Sequence, residues 1–113
     1  MRLFAQGDLL IETVDDCPPS GDIVEPSSEG ATVLAHGELS GHRHVIHARV
    51  TLFRDDSLAR DIPPGLYVGH VKVDSAQVAL EHEEHAPISL TKGTYRVRRQ
   101  RYLEPTDSAV LED

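Results

Sequence analysis

The sequence predicts an all-β fold, a small single-domain β-barrel or sandwich, and three observations predict it. Apolar and polar residues alternate over short runs, Gly and Pro punctuate the chain at close intervals, and no segment of any length carries a helical period. Many short strands divided by turn residues fit a barrel or sandwich better than a layered α/β fold. A chain of 113 residues suits one domain, 1–113, around one core.

The elements follow in order. Arg2 to Ala5 reads as a strand, Gln6-Gly7-Asp8 as a turn and Leu9 to Val14 as a second strand rich in β-formers. Asp15 to Gly21, with Pro18-Pro19 and Ser20-Gly21, is a loop; Asp22 to Glu25 is a brief extended piece stopped by Pro26. After a turn over Ser27 to Gly30, Ala31 to His36 is a strand. The clearest alternation runs from His42 to Leu52: His42, His44, Ile46, Ala48, Val50 and Leu52 share one face, which is expected to point inward. Turn signals at Arg54 to Ser57 and Ile62 to Gly65 precede strands over Leu66 to Val73 and Ala76 to His82, with Asp74-Ser75 as the turn between them. Ile88 to Leu90 and Thr94 to Tyr102 are the last strands, joined by Thr91-Lys92-Gly93. Pro105 is placed to start a short C-terminal helix or tail over Thr106 to Leu111.

Composition narrows the function. The formal charge of −8 argues against general nucleic-acid binding and against anionic membranes, which both attract basic surfaces. Arg96, Arg98, Arg99 and Arg101 cluster, yet in a strand they divide between two faces, so pairing with the chain's surplus carboxylates is the expected role. Cys17 is the single cysteine, which excludes an intrachain disulfide, and its acidic neighbours disfavour a reactive thiolate. No apolar run reaches the length of a membrane span and no signal-peptide core is present, so a cytoplasmic location is expected. With no Trp and five Phe and Tyr residues, the core is thin, and a homo-oligomer, a metal or a protein partner is expected to support it.

Seven histidines stand out, four of them in two tight pairs. Gly41-His42-Arg43-His44 puts two imidazoles on one face of a strand. His82-Glu83-Glu84-His85 needs a bend to bring its two rings together, and Pro87 supplies a reason for one. His82 continues the apolar face of Val78 and Leu80, as His44 continues that of Ile46. If these faces share a core, His42, His44, His82 and His85 meet at its rim as a ligand set for zinc or another divalent transition metal. Glu83 or Glu84 is then the candidate catalytic base for water on an open coordination position. Against this stand histidines that merely close the end of the sheet by hydrogen bonding, as expected for His36, His47 and His70, and clustered imidazoles that sense pH.

The His-x-His on a barrel strand resembles the first ligands of the cupin family, but Ala48 and Arg49 stand where that pattern needs a glutamate. Taken together, Gln6-Gly7-Asp8-Leu9-Leu10, Gly41-His42-Arg43-His44, His82-Glu83-Glu84-His85-Ala86-Pro87-Ile88 and Gly93-Thr94-Tyr95-Arg96-Val97 resemble a set of short uncharacterised proteins of bacteria and their phages. That resemblance implies one structural unit and no chemistry. Two readings of function result: a β-barrel with a histidine metal site, or a non-catalytic interaction or assembly module, such as a phage or mobile-element accessory protein, without metal.

Overall fold

A computed structural model describes residues 2–36 and 42–100 and the backbone of 106–112. One antiparallel sheet is built from nine strands: β1 (Leu3–Gly7), β2 (Leu9–Val14), β3 (Asp22–Val24), β4 (Thr32–His36), β5 (Arg43–Ile46), β6 (Thr51–Arg54), β7 (Tyr67–Glu81), β8 (Ile88–Arg99) and β9 (Thr106–Glu112). The strand order is β3-β6-β7-β8-β2-β1-β9, and β5 branches from β7 to carry β4. The all-β class therefore holds, but the sheet curls without closing into a barrel. Among the described residues the one helical element is a 3-10 turn at Asp56–Leu58, and no helix is long and apolar enough to cross a membrane. The C-terminal piece expected as a short helix or tail is a strand, β9, which pairs with β1. Beyond Pro105 the run Thr106 to Glu112 offers Thr and Val to a sheet edge that is otherwise unpaired, and pairing outweighs weak helix propensity.

β7 is the spine of the fold. Along one edge it pairs with β8, and along the other it pairs first with β6 (Phe53↔His70, Thr51↔Lys72) and then with β5 (Ile46↔Leu80, Val45↔Glu81). Asp74-Ser75, read from sequence as a reversal, is a bulge. Between the pairs Val73↔Gly93 and Gln77↔Thr91, β7 advances four positions while β8 advances two. The same irregularity explains why the predicted strand His42 to Leu52 is split. From Ile46↔Leu80 to Thr51↔Lys72 the partner chain covers five steps against eight in β7, so residues 47–50 cannot stay in the ladder. Likewise Thr91-Lys92-Gly93 does not turn the chain but lies inside the continuous β8.

The inward face behaves as its alternation predicts: His44, Ile46 and Leu52 are buried and Ala48 and Val50 pack against the core. That core is aliphatic, with Leu9, Ile11, Val71, Leu80, Leu90 and Val97 inaccessible and Tyr95 and Phe4 in edge-to-face contact at 6.5 Å. Curling brings β1 over the far end of β7, although β8 and β2 separate them in the sheet. The Gln6 side chain spans the seam, donating from Nε2 to the carbonyls of Leu80 (2.9 Å) and Ala86 (3.0 Å).

On the outer face, His70 is buried and stacked on Phe53, with ring centroids 5.4 Å apart. The Tyr67 hydroxyl accepts from the Asp55 N–H and shares a hydrogen bond of 2.6 Å with His70 Nδ1. Arg96 on β8 binds Glu12 and, through both terminal nitrogens, Asp61 of the covering loop. Burial first, and the Arg96 charge second, hold the His70 pKa below its usual value. His70 thus stays neutral in the fold where the unfolded chain takes up a proton. Stability is then full above about pH 6.5 and is lost as pH falls from there through the lowered native value. Thermal melts from pH 8 to 5 are expected to show this decline, and His70→Phe to reduce it. A profile identical in the variant would contradict the assignment.

Candidate metal centre

The site forms where the start of β5 meets the connection from β7 to β8, under the β1–β2 turn. Gly7 and Asp8 close that turn with a two-residue loop between the paired Gln6 and Leu9. Gly7 has φ of 57°, and a Cβ there would lie 2.9 Å from His85 Nε2 and 3.3 Å from His44 Cε1. Glycine is needed twice over, for the left-handed conformation and for room beside two imidazoles.

After β7 ends at Glu81, residues 83–85 bend before Pro87 restarts the chain as β8. The bend is held internally by the Glu84 N–H donating to His82 Nδ1 at 3.0 Å. It is tied to β5 by the Arg43 N–H, which donates to the Glu83 carboxylate at 3.0 Å, and by contact of His42 Nδ1 with Glu84 Oε1 at 2.5 Å.

These ties gather three rings around His82. Its centroid lies 4.5 Å from that of His44, 4.6 Å from His85 and 5.7 Å from His42. Donor atoms of His42, His82 and Glu83 all fall within 4.8 Å of one another, a spacing small enough for one cation to draw them together. His44 is buried beneath the others, His42, His82 and His85 are partly buried, and both glutamates are exposed. His36 sits at the exposed end of β4, His47 is exposed beyond β5, and His70 belongs to the outer face; none joins the cluster.

Hydrogen bonding settles which nitrogens are available. The Gln6 amide nitrogen faces two carbonyls, so its oxygen faces His44, and His44 Nδ1, 2.9 Å away, must be the donor. His44 Nε2 faces Asp8 Oδ1 at 3.3 Å, so both of its ring nitrogens are engaged and His44 serves as a support beneath the cluster. His42 Nδ1 faces the Glu84 carboxylate at 2.5 Å, an arrangement of the kind that orients metal-bound histidines. His82 differs: its Nδ1 accepts from Glu84, so coordination through Nε2 requires that contact to break.

The electrostatics favour an uncharged His82 beside ionised carboxylates. Burial, and then the neighbouring His44 and His85, lower the His82 pKa, which keeps the ring uncharged. The hydrogen bond from the Arg43 amide lowers that of Glu83. For Asp8 burial pushes upward, but the His44 hydrogen bond and the Arg99 charge outweigh it and leave the carboxylate ionised.

Three contributors were not legible as site residues. Asp8 reads as turn chemistry, yet its side chain joins Arg99 to His44. Gln6 reads as part of the turn, yet it is fully buried. Arg99 was expected to pair with some carboxylate, and it does so with Asp8 while also donating to the His36 carbonyl at 3.0 Å. A polar residue among apolar ones in a short strand is the only signal that marks Gln6.

Comparison with known proteins adds a grouping without a chemistry. Residues 5–100 match a family described as a domain of unknown function (DUF8820). No curated protein and no solved structure matches the chain.

Proposed function

The chain belongs to the DUF8820 family, whose description assigns no activity, and we propose that its histidine cluster binds a divalent transition metal ion, zinc foremost. One observation carries the reading: donor atoms of His42, His82 and Glu83 lie within 4.8 Å of one another. Two histidines and a carboxylate are a familiar ligand set for zinc, and His85 adds a further imidazole against His82, with the His44 ring packed beneath it. The Glu84–His42 contact matches the outer-shell pairing that orients a coordinating imidazole.

Binding is favoured over catalysis by the state of the two glutamates. Glu83 accepts from a backbone amide and has a lowered pKa, which suits a ligand and makes a poor proton acceptor. Glu84 is engaged by His42. An ion here would join β5 to the bend between β7 and β8, and its free energy of binding would add to that of folding.

The test is metal analysis of protein purified without a polyhistidine tag, after equilibration with zinc and removal of excess. About one ion per chain and a rise in melting temperature are expected. Metal content at background, with an unchanged melt, would defeat the reading.

A further inference from the structure

The loop that covers the outer face leaves a cleft of about 550 Å³ between β6 and Pro63-Pro64, lined in part by Arg54, Arg60, Ile62 and Tyr67. A second hollow of about 400 Å³ shares Arg54, Gly65 and Tyr67 with it and continues toward β4. Each falls within the range of small-molecule sites.

Charge is what distinguishes this cleft. The protein carries 19 acidic side chains against 11 arginines and lysines, so its guanidinium groups should readily find carboxylates. Arg96 and Arg99 do. Among the described residues no carboxylate lies within 4.0 Å of the charged groups of Arg54, Arg60 or Arg98. Arg54 uses Nε to hold the Val68 carbonyl at 2.7 Å, which fixes its position and leaves its terminal nitrogens for another acceptor. Arg98, the register partner of Tyr67 on β8, has a buried Nε without any hydrogen-bond partner. Asp56 also lines the cleft, but one carboxylate against Arg54 and Arg60 leaves it net positive. Nearby Asp55 is occupied by Ser20 and Ser57.

We propose that this cleft binds a small organic oxyanion, a carboxylate or phosphate ester carried on an apolar or aromatic body. Arg54 and Arg60 bind the oxyanion, since a guanidinium presents paired donors to two oxygens at once. Ile62, the rigid Pro63-Pro64 pair and the Tyr67 ring receive the body. The Tyr67 hydroxyl is committed to His70 and the Asp55 amide, so the ring serves as a wall and the arginines as the anchor.

The test is an amide-shift titration of the full chain in phosphate-free buffer with a chelator present, so that its outcome is independent of any metal. Benzoate and phenyl phosphate are the anionic probes, and the tighter of the two identifies the oxyanion. Saturable shifts confined to residues 54–67 are expected, with inorganic phosphate weaker and benzyl alcohol without effect. Arg60→Gln, at an exposed position, should weaken the better probe roughly tenfold. Arg54→Lys, which keeps the charge and loses the paired donors, should weaken it as well. Absence of saturation with both anions, equal binding of benzyl alcohol or of inorganic phosphate, or unchanged affinity in a folded Arg60→Gln protein would overturn the proposal.

Discussion

Replacing His82 with alanine is expected to reduce zinc affinity by on the order of 100-fold or more, the largest loss from any single exposed or partly exposed side chain. The reason is position. His82 is the ring that touches His42, His44 and His85, and it belongs to the trio whose donors lie within 4.8 Å. Loss of an outer-shell partner alone costs about 10- to 100-fold in metal affinity, and loss of a ligand should exceed that. The substitution should cost little in folding, because His82 is only partly buried and the Glu84 N–H it releases is exposed to water. His44→Ala is a poorer test of coordination, since His44 is 1 % exposed and its removal opens a cavity in a buried polar network. A competition titration against a chelator of known affinity measures the effect. His47→Ala, exposed and beyond β5, should bind zinc as the parent does. Equal affinities for parent and His82→Ala would remove His82 from the site and the metal reading with it.

Local periodicity made much of this molecule legible, and long-range pairing hid the remainder. The inward face of His44, Ile46 and Leu52 was readable because side-chain direction alternates along an extended chain whether or not the ladder continues. The bulge at Asp74 to Ala76 was not, because Asp-Ser favours turns and bulges alike and only the partner strand decides between them. β9 was not legible for a related reason: its fate depends on the edge of β1, about a hundred residues away along the chain (Gly7↔Thr106, Leu3↔Glu112) and invisible to a local window. In the candidate site the histidines were conspicuous by type and spacing. What orients them was not, since the Gln6, Asp8 and Arg99 contacts arise from the curl that sets β1 over β7 and β5. Glu83 and Glu84 stand beside the rings, and their hydrogen bonds to the Arg43 amide and to His42 are what make them, under the proposed metal reading, a ligand and an orienting group in preference to a base.

Gln6→Leu should be among the most damaging single substitutions in the protein, at about 3 kcal/mol of lost stability. The side chain is fully buried, and leucine nearly matches its volume, so packing loss is small and the effect isolates hydrogen bonding. Three hydrogen bonds are lost together: those to the carbonyls of Leu80 and Ala86 and that from the Nδ1–H of His44. Buried groups left unsatisfied cost about 1–3 kcal/mol each, and Ala86 recovers part of its share because it is exposed to water. Gln6→Glu should be worse near neutral pH although it is isosteric, because it turns a carboxylate oxygen toward two carbonyl oxygens in a site closed to solvent. Chemical denaturation of parent and variants measures the stability term. The orienting role has a separate readout: long-range proton–nitrogen spectra should find His44 protonated on Nδ1 in the parent and redistributed between its nitrogens in Gln6→Leu. Stability within about 0.5 kcal/mol of the parent, or an unaltered His44 tautomer, would mean that the seam between β1 and β7 is held by packing and that Gln6 does not set the imidazole beneath the site.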